Sequence, residues 1–318
     1  MNTSATSAAA ATAHAAAAAA PAVCVHAVVV SHRADWLRLM RQFAALSRQV
    51  DQIVWVDSAS GQDLARWLPE CPPGQVHPIW LDGNHGIGYA QNRGIEWACA
   101  NGATHILLMD HDSLPQGDMV RALLAALQQD PRAAAAGPRY FDARREKQRP
   151  IFFRSRGWRL QWIGCERQSG PVLVDHVIAS GCLIPVPVLR QIGLMREDFF
   201  IDWVDVEWCL RARVQGYHIW GVCDAALEHH LGDKVVRIAG REVPLHPAWR
   251  HYYQARNLVL MLKSVRIDAH TKRHHAVQQF KRFVVFSICA PRRWQYFKMW
   301  TLGLWHGFRG KSGASIRP

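Results

Sequence analysis

Short apolar runs alternate with segments of helical periodicity along the first part of the chain. The apolar runs predict buried strands over residues 23–30, 52–58, 76–81 and 104–110. Helical periodicity is clearest in residues 31–46 and in a segment that begins near Ile87 and stops at Gly102. Strands that are apolar on both faces and alternate with helices indicate an α/β fold, with a mostly parallel sheet covered by helices on both faces.

The alternation weakens beyond Gly137. The polar, basic stretch RREKQRPIFFRSRGWR predicts a loop or hairpin, and VLVDHVIAS predicts a strand that leads to Ser180 and Gly181. A short helix is predicted over residues 186–192, and a longer one in FFIDWVDVEWCLRARV. On a helical wheel the longer helix has one apolar stripe facing the core, formed by Trp203, Val206, Leu210 and Val214.

Acidic side chains stand beside that stripe. Asp202 and Asp205 lie on its flank with Cys209, whereas Glu207 points away and can pair with Arg211 four residues later. Alternatively, Asp202 can serve as the helix N-cap, and Asp205 as a first-turn acid that the helix dipole favours. A capping role for these acids leaves a catalytic role open.

An acidic pair, Asp110 and Asp112, directly follows the apolar run ILLM. In an extended strand these two side chains project to the same side, and like charges that close raise each other's pKa unless a cation shares them. Mg²⁺ and Mn²⁺ take oxygen ligands and often link carboxylates to substrate phosphates. The pair therefore indicates a divalent-metal site, with a solvated acidic turn as the alternative.

Two more polar residues follow predicted strands in the same way. Asp57 comes directly after the second strand, and Asn84 follows the third. Because ligands of parallel sheets collect at the carboxyl ends of strands, we expect Asp57, Asn84 and the acidic pair to line one site. Further along, the strand YHIWGV leads toward His229 and His230, either of which could supply a neutral imidazole to a metal.

Composition adds constraints on class and compartment. Hydrophobic residues at 49% and charged residues at 20% are ordinary for a globular protein of 318 residues. The first twenty residues are a low-complexity Ala/Ser/Thr tract, expected to be a flexible tail, and no apolar window is long enough to span a bilayer. Eight scattered cysteines without a C-x-x-C pair argue against zinc and against a disulfide framework, and favour a reducing cytosol.

The net charge of +13 is concentrated toward the end of the chain. From residue 237 onward there are 16 lysines and arginines and only two acids, and aromatic residues interleave with the bases in FKRFVVFSICAPRRWQYFKMWTLGLWHGFRG. The charge predicts a polyanionic neighbour, and the mixture of rings and cations suits the headgroup layer of a membrane. It also suits single-stranded nucleic acid, or a basic helix packed on the main domain.

Taken in order, these motifs resemble the family 2 glycosyltransferases of the GT-A fold, and within them the bacterial rhamnosyltransferases. The resemblance extends over residues 25–263 and rests on VDSAS, NHGIGYAQNRGI, LLMDHDS, SGCLI, FFIDWVDVEWCLR, HHLG and YYQARN. Ser58 and His111 depart from the family's usual Asn and Gln. The family's common E-D-x-D appears here as VDVE, which leaves Asp205 at the position of the family's base.

The resemblance implies inverting transfer of a sugar from a nucleoside diphosphate. Asp205 would take the proton of the acceptor hydroxyl. A divalent cation, Mg²⁺ or Mn²⁺, would be held chiefly by Asp112, with His229 as a further ligand because His229 and Gly232 match the family's H-x-x-G. The other implied site residues are Asp57, Asn84, Gly86 and Asp110 on the nucleotide and donor side, and Ser180, Gly181, Asp202 and Arg256 on the acceptor side.

For the whole chain, the resemblance implies a GT-A (Rossmann-like) domain over residues 23–263. A disordered tail at 1–22 and a basic aromatic helical extension at 264–318, which associates with a membrane, are expected to flank it. The implied donor is dTDP-L-rhamnose, and the implied acceptor is a lipid-linked glycan of cell-surface polysaccharide biosynthesis. The protein is expected in the cytoplasm, bound peripherally to anionic lipid at the inner membrane face, with no nucleic acid as partner.

Two other functions remain open from the residues alone. A haloacid-dehalogenase-like phosphatase also has a strand ending in D-x-D, but on its first strand, whereas three predicted strands precede the pair here. A nucleic-acid-binding protein would use the basic C-terminus and leaves the acidic pair unexplained. Release of free phosphate would identify the phosphatase, and steeply salt-dependent oligonucleotide binding would identify the second.

Overall fold

A computed structural model describes residues 22–61, 63–142, 152–156, 159–166, 168–229, 234–238, 241–290 and 292–316. The expected tail lies outside these residues except for residue 22, and so do His230 and Gly232. The strands are β1 (Val25–Ser31), β2 (Gln52–Asp57), β3 (Val76–Trp80), β4 (His105–Asp110), β5 (Ser113–Gln116), β6 (Ala133–Phe141), β7 (Phe152–Arg156), β8 (Arg159–Ile163), β9 (Pro171–Val174), β10 (Cys182–Pro185), β11 (His218–His229), β12 (Lys234–Ile238) and β13 (Arg241–Leu245). The α-helices are α1 (Trp36–Leu46), α2 (Ile87–Ala100), α3 (Met119–Gln128), α4 (Val186–Ile192), α5 (Val204–Val214), α6 (Ala248–Ser264), α7 (Ala269–Cys289) and α8 (Arg293–Phe308).

One sheet, built in the described residues from nine strands, organises the fold. Its order is β3-β2-β1-β4-β10-β6-β11-β5, and β9 also pairs with β11. Strands β1 to β4 are parallel, as predicted, and β6 and β11 run in the same direction beyond the antiparallel β10. Strands β5 and β9 are antiparallel to β11. The carboxyl ends of β2, β4 and β11 therefore meet the amino ends of β5 and β10 at one end of the sheet.

Burial on both faces of the sheet explains the apolar runs. Along β1, Val28 belongs to the core under α2 and α5, whereas Val29 belongs to the core under α1 and α3. In β4 the same alternation places Leu108 on the first side and Leu107 on the second. Burying a side chain of this size contributes about 1.5–3 kcal/mol, which makes a polar residue costly at these positions.

Three C-terminal helices pack on one another and on the sheet domain. Helix α6 lies along α8, and α7 contacts both. Among the residues that the structure describes, no helix combines the length and apolarity needed to cross a bilayer. The basic stretch after residue 143 is a hairpin where it is described, with β7 and β8 paired antiparallel.

The strand predicted in VLVDHVIAS is shorter than expected, because the chain turns away after β9. Asp175 is buried there, and its carboxylate accepts a hydrogen bond from the Ser155 N–H (3.0 Å) and pairs with Arg213 (3.1 Å). Cys165 and Cys223 form a disulfide, since the pairing of β9 with β11 brings their segments together. For this pair, the expectation of reduced cysteines is corrected.

The apolar stripe predicted for α5 is wrong in part. Val214 is 47% exposed, whereas Leu210 is buried as predicted. Glu207, expected to point away from the core, is buried. Its predicted pair with Arg211 forms, with 3.0 Å between Nη2 and Oε2. Because that ion pair satisfies the carboxylate inside the protein, the helix can bury a face that its apolar pattern does not mark.

Candidate active site

The sheet topology brings the predicted site residues to one place. Asp57 ends β2, Asp110 ends β4 and His229 ends β11, while Ser180 lies just before β10. His229 pairs directly across the sheet with Ser113, the first residue of β5. Residues that are far apart in sequence therefore converge at one end of the sheet, as the strand order requires.

Asp110, Asp112 and His229 form a candidate metal centre. Each offers one ligand atom, and these atoms all lie within 4.8 Å of one another; no other such group of three was found among the described residues. His229 Nδ1 lies 3.4 Å from Asp112 Oδ1. Two carboxylates and an imidazole suit a divalent cation such as Mn²⁺, and the carboxylates alone suit Mg²⁺. The residues present therefore fit such a cation.

The electrostatics of this cluster favour a positive charge at its centre. Burial and the neighbouring Asp112 raise the pKa of Asp110. Burial also acts to raise the pKa of Asp112, but the hydrogen bond and charge of His229 outweigh it and lower that pKa. For His229, burial acts to lower the pKa, and the two carboxylates outweigh burial and raise it. Two acids that close are stabilised when a cation stands between them.

A chain of hydroxyl groups supports the cluster from the protein interior. Ser180 Oγ accepts a hydrogen bond from the Asp110 N–H (3.1 Å) and donates one to Ser113 Oγ (2.7 Å). Ser113 Oγ in turn lies 2.6 Å from His229 Nδ1. The same nitrogen approaches Asp112 Oδ1, so Ser113 fixes the orientation of the imidazole at the acidic pair. These serines therefore orient the acidic turn and the imidazole.

Ser180 and Gly181, expected on the acceptor side, lie at the base of the site. Ser180 is buried, and its hydroxyl is used by the hydrogen bonds to the acidic turn. The Gly181 N–H donates to the Leu108 carbonyl (2.7 Å). Gly181 has a φ of 82°, and a Cβ there would approach Pro138 Cγ to 2.5 Å, so only glycine fits. Both residues shape the floor beneath Asp110.

Asp205 lies in the first turn of α5, close to this floor. Its Oδ2 accepts from the Ala179 N–H (3.2 Å) and its Oδ1 from the Val206 N–H (2.8 Å). Burial raises the pKa of Asp205 to about 6; the two hydrogen bonds oppose this shift, and the carboxylates of Asp110 and Asp202 add to it. A carboxyl with a pKa near neutral pH can accept a proton during a reaction. Asp205 is therefore suited to act as a general base.

Asp202 has the opposite environment. The N-cap residue of α5 is Trp203, so the alternative of Asp202 as N-cap is not observed. The Asp202 carboxylate instead pairs with Arg250, at 2.8 Å from Nη2 and 3.1 Å from Nε. Burial acts to raise the pKa of Asp202, but Arg250 outweighs it and lowers that pKa. Asp202 stays ionised while Asp205 can take a proton, a separation typical of acids with different roles.

The loop that carries Asp202 is strained, and α6 holds it. Phe200, Asp202 and Trp203 have φ values of 64°, 64° and 70°, a left-handed conformation that costs such residues about 1–3 kcal/mol each. Asn257 Nδ2 donates to three carbonyls of this loop, at 2.9, 2.7 and 3.0 Å. These bonds offset the strain and fix the approach of the chain to Asp205.

Arg256, expected on the acceptor side, is buried beneath the loop before α5. Its side chain is 0% exposed. Nη1 donates to the Gly313 carbonyl (2.5 Å), and Nη2 donates to the carbonyls of Asp198 (3.2 Å) and Phe199 (2.9 Å). A guanidinium that is used inside the protein in this way does not face an acceptor. Arg256 therefore joins the C-terminal segment to the loop before Asp202.

Asp57, expected on the donor side, is buried among serines. Its Oδ1 accepts from Ser31 Oγ (2.7 Å) and Ser60 Oγ (2.5 Å), and its Oδ2 accepts from the Ser60 N–H (2.8 Å). Trp55 Nε1 donates to Ser31 Oγ (2.9 Å), which fixes that hydroxyl. The carboxylate is thus held rigidly at the end of β2, which β1 separates from β4 and its acidic pair.

Asn84 and Gly86 form the turn that enters α2. Asn84 is exposed, and its Oδ1 accepts from the Gly86 N–H (3.1 Å). Gly86 has a φ of 98°, and a Cβ there would lie 2.4 Å from the Phe200 carbonyl oxygen. The Ile87 N–H donates to that same oxygen (2.7 Å). Glycine is required here because the turn packs directly against the strained loop.

Arg250 and Asn257 were missed in the sequence analysis. Their loop partners lie 48 to 58 residues away, so no local pattern connects them. The sequence gives one signal for Asn257, which is the run of polar residues in YYQARN. The structure buries this helix from His251 to Met261, so these polar groups need partners inside the protein.

The sequence matches one family profile and is similar to two characterised transferases. Residues 27–193 match the sequence profile of glycosyl transferase family 2. The dTDP-rhamnosyl transferase RfbF of Shigella flexneri is 30% identical over 298 residues, which cover 91% of this chain and 97% of the relative. The low-salt glycan biosynthesis hexosyltransferase Agl10 of Haloferax volcanii is 24% identical over 277 residues, covering 84% of this chain and 86% of the relative.

Solved structures share the fold. TarS 1–349 of S. aureus, in complex with UDP-GlcNAc, aligns with a TM-score of 0.61 at 11% identity and covers 91% of this chain and 82% of its own. The mannosyltransferase PcManGT of Pyrobaculum calidifontis, in complex with GDP-Man and Mn²⁺, aligns with a TM-score of 0.53 at 13% identity, covering 90% of this chain and 75% of its own. At these identities the likeness shows the fold alone.

Proposed function

Because this chain belongs to glycosyltransferase family 2 and has its GT-A fold, we propose that it transfers L-rhamnose from dTDP-L-rhamnose to a hydroxyl of a lipid-linked glycan, with inversion. The Shigella flexneri relative is a dTDP-rhamnosyl transferase, and this chain aligns with almost its whole length, which supports this donor. The product would belong to cell-surface polysaccharide, made at the inner face of the cytoplasmic membrane.

The observation that carries the proposal is the convergence of the acidic pair, His229 and a general base of suitable pKa at one end of the sheet. Asp112, with His229 and Asp110, would hold a divalent cation, which when bound neutralises charge on the departing diphosphate. Asp110 would lie nearer the ribose and sugar of the donor. Asp57 would accept the imide N–H of the thymine base.

Asp205 would perform the proton transfer. As the acceptor hydroxyl oxygen forms its bond to the anomeric carbon, its proton passes to the Asp205 carboxylate. The bond between the anomeric carbon and the diphosphate oxygen breaks, and its electron pair leaves with dTDP. A base of pKa about 6 is ionised at neutral pH and ready to accept that proton.

A donor screen tests this function. The wild-type protein with Mn²⁺ and a membrane lipid extract as acceptor is expected to release dTDP from dTDP-L-rhamnose, and to transfer radiolabelled rhamnose to lipid. GDP-sugars serve as the matched control, since guanine is a purine and not the pyrimidine that Asp57 is proposed to bind, and UDP-sugars are tested beside them because uracil has the same imide N–H as thymine. Transfer from another nucleotide sugar alone would contradict the donor, and release of free phosphate would support the phosphatase instead.

The acceptor part of the proposal includes an anionic membrane surface that contacts α7 and α8. Large apolar side chains are exposed on these helices, namely Phe280, Ile288, Trp294, Phe297, Trp305 and Phe308. Trp294, 72% exposed, stacks on Phe297 with 5.2 Å between ring centroids, and Arg309 lies 4.2 Å above the Trp305 ring. Aromatic rings and cations together suit the headgroup layer of a membrane. Each lysine or arginine near anionic lipid contributes about 1 kcal/mol to membrane binding.

The triple variant Trp294→Ser, Trp305→Ser, Phe308→Ser is expected to lose most binding to vesicles that contain phosphatidylglycerol. Vesicle co-sedimentation measures this, with pure phosphatidylcholine and 0.5 M salt as conditions that should weaken wild-type binding. Leu37→Ser is the matched control, since Leu37 is 71% exposed on α1, away from this surface. Unchanged vesicle binding by the triple variant, or tighter binding of single-stranded DNA than of vesicles, would contradict the membrane surface.

A further inference from the structure

Gln42 is a buried polar residue on an otherwise apolar helix face. It lies on α1 among Leu39, Phe43, Ala45 and Leu46, and it is completely buried. An amide in such a place is costly unless its polar atoms are hydrogen-bonded. A leucine of similar volume would fill the same space without that cost. The presence of glutamine therefore needs a reason beyond packing.

The Gln42 amide donates to both ends of the turn that carries the acidic pair. Nε2 lies 2.6 Å from the Asp110 carbonyl oxygen and 2.6 Å from the Ser113 carbonyl oxygen. These two carbonyls bracket Asp112. From the other side, Ser180 binds the Asp110 N–H and the Ser113 hydroxyl. The turn is thus held by side chains from two separate elements.

The NH₂ group of the Gln42 amide is hydrogen-bonded, whereas its oxygen is not within the described part of the chain. Oε1 of Gln42 is buried without a hydrogen-bond partner among the described residues. A buried glutamine side chain ordinarily has hydrogen-bond partners for its carbonyl oxygen as well as for its NH₂ group. The unpaired oxygen is tolerated because the NH₂ group is used by the turn. The amide orientation is fixed by two acceptors and cannot reverse.

We infer that Gln42 is a positioning residue that fixes the spacing of the Asp110 and Asp112 carboxylates for cation binding. The inference rests on the cation role in the proposed function. Without the two hydrogen bonds, both carbonyls lose a buried donor, and the turn between them is less restrained. Residues that support metal ligands typically change metal affinity by about 10–100-fold when they are replaced.

A matched control exists at the opposite end of the sheet. The Gln75 amide also donates to two carbonyls of one turn, those of Ser47 (3.0 Å) and Val50 (2.7 Å). That turn precedes β2, at the end of the sheet opposite the site. Gln75→Leu removes the same two kinds of bond without touching the acidic turn. It separates a general loss of stability from a local effect.

The experiment is a Mn²⁺ titration of the folded, substrate-free protein, followed by the free Mn²⁺ signal in electron paramagnetic resonance. Gln42→Leu is expected to raise the Mn²⁺ Kd about 10–100-fold, whereas Gln75→Leu stays within about twofold of wild type at a similar loss of Tm. Equal Mn²⁺ affinity for Gln42→Leu and wild type would overturn the inference. So would a wild type that binds no Mn²⁺.

A second variant keeps the test valid if Gln42→Leu does not fold. Gln42→Glu has nearly the same shape but presents a carboxylate to two carbonyls, and it can donate only one hydrogen bond when protonated. Its Mn²⁺ Kd is expected to exceed that of wild type, as for Gln42→Leu, because a carboxylate cannot donate to the two carbonyls, and an unchanged Kd would count against Gln42 as the positioning residue. Because no sugar donor is used, Mn²⁺ binding without rhamnose transfer contradicts the proposed function and leaves the Gln42 result intact.

Discussion

Asp205→Asn is expected to lower kcat for sugar transfer by about 10³-fold, while donor KM and Tm change little. Asparagine keeps the size of aspartate, and its carbonyl oxygen can still accept the Ala179 or Val206 N–H. It cannot take the proton that the acceptor hydroxyl must lose as the new bond forms. Steady-state kinetics with a fixed acceptor measure the change.

The pH profile separates loss of a base from a general disturbance. With a pKa of about 6, Asp205 is ionised above that pH and protonated below it, so wild-type kcat/KM should fall about tenfold per pH unit below about 6. Asp205→Asn should lack this limb. Glu207→Gln is the control, because Glu207 lies two residues away on α5 but its partner is Arg211. Full activity of Asp205→Asn, or an unchanged acid limb, would refute the assignment of the base.

The first half of the fold could be predicted from sequence because its signal is local. Strands β1, β2 and β4 are buried on both faces, so nearly every position is apolar and the run stands out against the helices. A polar residue directly after such a run marks the carboxyl end of the strand, where parallel sheets bind ligands. The sequence alone therefore predicts that Asp57, Asp110 and Asp112 lie at the same end of the sheet.

The supporting residues could not be predicted because their partners are remote in the chain. Gln42 contacts the turn at Asp110, 68 residues later, and Asn257 contacts the Phe199 carbonyl, 58 residues earlier. A buried polar residue in a helix has the same local pattern as a solvent-exposed one. The burial of Arg256 could not be predicted for the same reason, since an arginine is ordinarily exposed and its complete burial depends on carbonyls supplied by the folded loop.

Strain in the loop before α5 has a structural cause that links the two halves of the site. Phe200 supplies the carbonyl that receives the Ile87 N–H at the start of α2, while Asn257 binds the carbonyls on either side of it. Phe200, Asp202 and Trp203 have positive φ values, and with the loop in this conformation both sets of donors have a carbonyl partner. The same loop therefore fixes the donor-side turn at Gly86 and the position of Asp205.

Asp112→Asn is expected to reduce kcat/KM by about 10³-fold, an effect as large as that of Asp205→Asn on kcat. Cation stabilisation of a departing diphosphate is worth several kcal/mol, and each 1.36 kcal/mol corresponds to tenfold in rate. Asparagine keeps one oxygen ligand but removes the negative charge that, with Asp110, makes the site attractive to a cation. The lowered pKa of Asp112 in the native protein, caused by His229 against the effect of burial, keeps that charge present at neutral pH.

Metal removal provides the complementary measurement. Treatment of wild type with EDTA should abolish transfer, and excess Mn²⁺ should restore it, whereas Asp112→Asn should recover little at the same Mn²⁺ concentration. Asp118→Asn is the control, since Asp118 is an exposed acid six residues later that pairs with Arg121 outside the site. If EDTA leaves the wild-type rate unchanged, or Asp112→Asn matches Asp118→Asn, the acidic pair has another purpose. The hydroxyl network of Ser180 and Ser113 would then require a different explanation, because its hydrogen bonds lead to the Asp110 N–H and to His229.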